Sequence, residues 1–130
     1  MGYKTTVHIG MVSDSWFPGD GKQKWLRELM VFELFKIGDS KLGQLFDKYN
    51  ELPSAQKVFF FASNGNTKIK KDRYGDELVA VPFDEAMEAL AFDVKDEEFD
   101  SIHIKILYDA MKSIRKHYKK SPLFVTRFGH

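Results

Sequence analysis

Residues 25 to 37, WLRELMVFELFKI, place the tightest constraint on the fold. Nine of these thirteen residues are apolar, and the polar ones are Arg27, Glu28, Glu33 and Lys36. The segment reads as part of a helix over about 21 to 37, with Asp20 as N-cap after a turn at Pro18 and Gly19, and Gly38 as the left-handed cap at its end. Wound at about 100° per residue, the four polar side chains scatter around the wheel and leave no polar side. Such a helix must be enclosed, because monomers rarely leave large contiguous apolar patches in water. It is expected between other elements of this chain. The alternative is an interface with another chain, including a homodimer through the apolar helix 25–37.

The rest of the pattern is easier to read. YKTTVHIGMV alternates as a first strand, with Val7, Ile9 and Met11 on one face. Asp39 or Ser40 restarts a second helix whose stripe is Leu42, Leu45, Phe46 and Tyr49, closed by Pro53. KVFFFAS is a buried strand, NGN a hairpin signal, and TKIKK, DRYGDE and LVAVPF complete a three-stranded antiparallel meander over 57 to 83. Asp84 is placed to cap a short helix, EAMEALAF. Asp100 is placed to start a longer one at Ser101, with Phe99 and Ile104 as a hydrophobic staple. Its expected apolar face is Ile102, Ile106, Leu107, Ala110, Met111, Ile114 and Tyr118; Pro122 ends it, and LFVTRF is the last strand. Helices and strands alternate only partly, which favours α+β over a doubly wound sheet. The expected architecture is a single domain over 1–130, an antiparallel sheet of four or five strands with two longer and one or two short helices.

The most suggestive loop is WFPGDGK, residues 16 to 22. A phosphate-binding P-loop needs G-x-x-x-x-G-K-[ST] so that backbone N–H groups wrap the phosphates and a hydroxyl holds magnesium. Here Trp16 stands where the first glycine belongs and Gln23 where the hydroxyl belongs, so nucleotide hydrolysis by this route is rejected. A weaker anion niche remains as an alternative, built from Gly19, Gly21, Lys22 and Lys24 at the N-terminus of the expected helix. Trp16 and Phe17 are candidate contact anchors.

The four histidines, His8, His103, His117 and His130, match no metal or nucleophile motif. His8 and His130 can meet if the first and last strands pair. No catalytic set, metal or cofactor is expected. With no cysteine in the chain, disulfides and thiolate metal sites are excluded, and a reducing, cytoplasmic setting is expected. No signal peptide and no membrane span are read.

Twenty basic residues against nineteen acidic give a net charge of +1, without the overall excess of a generic nucleic-acid binder. The charges are segregated along the chain. Residues 84 to 100 carry eight acidic residues and one basic, and residues 105 to 127 carry seven basic and one acidic. The acidic group Glu85, Glu88, Asp96, Glu97 and Glu98 is a candidate steering patch, since complementary charge accelerates encounter and sets specificity. Lys68, Lys70, Lys71, Lys112, Arg115, Lys116 and Lys120 are candidates for tracking a phosphate backbone. The expectation is a non-enzymatic binding protein, an inhibitor or adaptor that contacts a larger protein. Nucleic-acid binding through the basic groups is the alternative, followed by a small enzyme or anion binder at residues 16–24.

Overall fold

The computed structural model describes residues 4–13, 24–35, 40–48, 55–61, 68–95 and 101–129. These residues form six strands: β1 (Lys4–Ser13), β2 (Lys24–Phe35), β3 (Gln56–Phe61), β4 (Lys68–Ile69), β5 (Val79–Pro82) and β6 (Leu123–Gly129). Among the described residues three helices accompany them: α1 (Lys41–Asp47), α2 (Phe83–Lys95) and α3 (Ser101–His117). The fold is α+β, as expected. The strand order is β2-β1-β6-β5-β3-β4, and β2 also pairs with β3. That extra pairing is parallel, Lys24 with Val58 and Trp25 with Phe59, whereas all the others are antiparallel. The five strands β2-β1-β6-β5-β3 therefore join into a ring.

A ring gives every strand an inner and an outer face, and side chains alternate between them. In β1, Val7 and Ile9 point outward to one core, shared with Leu42 and Phe46 of α1, Phe83 and Leu90 of α2, and Leu107 and Met111 of α3. A second core lies inside, made by Leu26, Val58, Phe60, Leu78, Ala80 and Phe128. The expected face of the first strand is thus observed, with Met11 packed beside it.

Residues 24–35 are a strand, where a helix was expected. β2 pairs with β1 along its whole length, but Ile9 faces Met30 and Gly10 faces Glu28, so Leu29 is an extra residue in a β-bulge. The bulge reverses the alternation. Leu26, before it, belongs to the inner core, and Phe32, after it, packs on the outer one. No single period fits a strand whose phase changes midway, and the resulting mixture of apolar positions imitates an unfaced helix. Gly10 makes the close approach possible. A Cβ there would lie 2.1 Å from the Arg27 carbonyl oxygen and 3.0 Å from Glu28 Cα.

The helices follow their local signals more closely. Ser40 caps α1, its Oγ accepting from Gly43 N at 3.0 Å. The buried Asp93 of α2 accepts from Lys41 N at 2.7 Å and from Leu42 N at 3.1 Å, which fastens α2 to the start of α1. Leu42 and Phe46 are buried as expected, while Gly38, Asp39, Tyr49 and Pro53 lie outside the described residues. α2 begins one residue before Asp84 and runs thirteen residues, so Asp84 sits inside the first turn instead of capping it. α3 starts at Ser101 as expected; Phe99 and Asp100 lie outside the described residues. Its buried face is Ile104, Leu107, Met111 and Ile114, whereas Ile102, Ile106 and Tyr118 are exposed. Apolar residues occupy two adjoining faces of α3, and periodicity alone does not choose between them.

The expected meander is also rearranged. β3 pairs with β4 through Phe60 and Phe61 and with β5 through Gln56 and Lys57. Residues 70–77 loop out between them, closed by a Lys71–Glu77 bridge. Asp72 braces this loop, its Oδ1 accepting from Tyr74 N and Asp76 N, and Gly75 takes a φ of 86° that favours glycine.

Candidate functional site

Three features of the surface and interior bear on function. The first lies inside the ring. Alternation places Thr6 and His8 on the same inner face of β1, and the bulge register brings Glu28 to it from β2. His8 Nδ1 and Glu28 Oε1 are within hydrogen-bond reach, and His8 Nε2 lies 2.8 Å from Thr6 Oγ1. An ionised carboxylate only accepts, so Nδ1 carries a proton and Nε2 can accept from the Thr6 hydroxyl. A hydroxyl, an imidazole and a carboxylate in this order form the layout of an activated nucleophile. The surroundings favour a structural use. Phe60 stacks on the His8 ring at 4.9 Å and Phe128 meets it edge-on at 6.3 Å. Thr6 and His8 are buried, and the Phe128 carbonyl, 3.5 Å from Thr6 Oγ1, is the longer, alternative acceptor for the single hydroxyl proton. The group fastens β1, β2 and β6 together. β1 and β6 do pair, the condition for His8 and His130 to meet, but the register puts His8 opposite Thr126, and His130 lies outside the described residues.

The second feature is the outer edge of β2. β1 occupies one side of this strand throughout, and β3 meets the other side only at Lys24 and Trp25. From Leu26 onward that side has no partner strand among the described residues. Leu29, Met30 and Val31 are 41%, 48% and 47% exposed, three large apolar side chains in succession. Because alternation carries Met30 and Val31 to opposite faces, both faces of the edge are apolar here. The sequence marked this segment as needing cover. It did not mark the cover as a strand edge.

The third feature is a groove between α1 and α2. α1 and its C-cap contribute Lys41, Leu45 and Lys48; α2 contributes Glu85, Glu88 and Phe92, around a cavity of about 320 Å³. Two expected acidic residues, Glu85 and Glu88, are therefore on one bank of a real depression. Asp96, Glu97 and Glu98, like the proposed anchors Trp16 and Phe17, lie outside the described residues. Phe92, 62% exposed, is an aromatic that the sequence reading did not select.

The remaining candidates are dispersed or engaged. Gly19, Gly21 and Lys22 lie outside the described residues, and Lys24 opens a strand, so the anion niche lacks the helix N-terminus on which it was premised. Arg115 holds the end of α3. Its Nη1 donates to the carbonyls of Tyr118 and Ser121, its guanidinium stacks 4.8 Å from the Phe83 ring centroid, and Nε lies 3.2 Å from Asp84 Oδ1 without the alignment of a hydrogen bond. Lys112 pairs with Asp109 and lies over Tyr108. Lys116 and Lys120 are exposed near the same helix end. On the hairpin, Lys68 lies over Phe59, while Lys70 and Lys71 are exposed beside Asp72, Asp76 and Glu77. A hydrogen bond from Lys57, followed by its charge and that of Lys71, holds the Glu77 carboxyl below its ordinary range. The hairpin thus mixes both signs of charge. The two basic groups also rest on different cores, α3 on the outer and Ile69 of β4 on the inner.

Among the described residues no cluster of three histidine or acidic side chains is placed to hold a metal, and no helix is long and apolar enough to cross a membrane. Comparison with protein-family models, curated proteins and solved structures found no match.

Proposed function

We propose that this chain is a non-enzymatic binding protein, an inhibitor or adaptor, that grips a larger protein by receiving one of its extended segments along β2. The observation that carries the reading is the run Leu29–Met30–Val31, exposed along a strand edge without a described partner past Trp25. An unpaired edge offers a row of backbone donors and acceptors to an incoming strand. Main-chain bonds then supply affinity, and alternate side chains supply specificity. An apolar edge with both faces uncovered suits a segment rich in β-branched and aromatic residues.

The test uses edge-blocking substitutions that leave the cores alone. Val31→Lys and Met30→Lys place a charge on the edge, the device by which natural sheets refuse extra strands. Each should fold with wild-type cooperativity. A partner captured from the source extract, purified and titrated should bind either variant at least tenfold more weakly than wild type. Undiminished binding by both variants would remove β2 as the contact.

A further inference from the structure

We propose that the groove between α1 and α2 is a second docking site, one that takes an amphipathic helix flanked by acidic side chains on one side and basic side chains on the other. The site is independent of the β2 edge. Lys41 and Leu45 of α1 and Lys48, its C-cap, recur at spacings of four and three, which brings them to one side of the helix. Glu85, Glu88 and Phe92 recur at three and four on α2 and do the same. The result is a trough with a basic bank, an acidic bank and an apolar floor.

Neither bank is neutralised from within. None of Lys41, Lys48, Glu85 and Glu88 forms an ion pair among the described residues, although the opposite charges line one depression. A ligand of a single charge sign would be repelled by one bank. A helix with an apolar stripe between flanks of opposite sign satisfies both in one direction only, because reversing the helix exchanges the flanks and sets like charges together; the groove therefore also fixes the direction of its occupant. At about 320 Å³ the cavity is at the small end of the range for enclosed small-molecule sites, about 300 to 1,000 Å³. It suits a few anchor side chains at helical spacing, the usual mode of helix-in-groove recognition. The trough is preformed, because Asp93 clamps α2 to the start of α1, so little ordering cost attends binding.

Three synthetic helical peptides with one apolar stripe test this: one with an acidic and a basic flank, one with two acidic flanks, and one with two basic flanks. Titrated at low salt, the mixed-flank peptide should bind wild type about tenfold tighter than either other peptide, with the difference shrinking as salt is added. Lys41→Glu combined with Lys48→Glu makes both banks acidic and should shift the preference to the doubly basic peptide. Such a change of preference cannot arise from misfolding. Val31→Lys should leave all three affinities unchanged, which separates this site from the β2 reading. Equal affinity for the three peptides, or no binding of any, would overturn the proposal.

Discussion

β1 and β2 are hydrogen-bonded neighbours with opposite fates. β1 has a partner on each side, β2 on one and β6 on the other, and one phase from end to end on its own chain. Its outward residues Val7 and Ile9 are fully buried. β2 changes phase at Leu29, and its outer side has no described partner beyond Trp25. The two strands touch the same ladder, yet one is interior wall and the other is rim. A residue's hydrophobicity therefore says less here than the number of strands beside it. Ile9 and Met30 face one another, and only Ile9 is enclosed.

That pair gives the widest contrast. Ile9→Ala should cost about 4 kcal/mol by urea denaturation, since it deletes a fully buried branched side chain from the outer core. Met30→Ala, directly opposite, should stay within about 0.5 kcal/mol, the range of ordinary surface changes. Similar losses at both positions would mean that the edge of β2 is covered.

The bulge that separates the two strands provides the next test. Gly10→Ala should cost about 3 kcal/mol, because the added methyl meets backbone of β2, which cannot rotate away. A neutral effect would show that the strands do not approach as described.

A smaller change should go the other way. Thr126, opposite His8 on the inner face, is fully buried and its hydroxyl has no hydrogen-bond partner among the described residues. Thr126→Val keeps the shape and removes the unsatisfied group, so it should stabilise by about 1 kcal/mol. Destabilisation would reveal a partner for that hydroxyl and widen the polar network around His8.

The same contrast explains what could be read from the sequence. β1, β6, the Ser40 cap and the start of α3 each depend on residues within a few positions of one another, and these were legible along with the α+β class. β2 was not, because its phase is set by Gly10, fourteen residues before Lys24, and no window over residues 25–37 contains that glycine. Closure of the ring depends on Lys24 and Trp25 meeting Val58 and Phe59, for which no local signal exists. Of the candidate sites, Glu85 and Glu88 were legible as charge. Their opposition to Lys41 and Lys48 follows from the Asp93 clamp, a contact across fifty-two residues. Thr6 and His8 share a face by simple alternation, but their union with Glu28 required the bulge register.

Amide hydrogen exchange along β2, free and with a purified partner bound, decides whether this edge receives a strand. Amides between Leu29 and Glu33 directed away from β1 should exchange rapidly in the free protein and become strongly protected in the complex. Protection confined to other elements, with exchange in β2 unchanged, would contradict it.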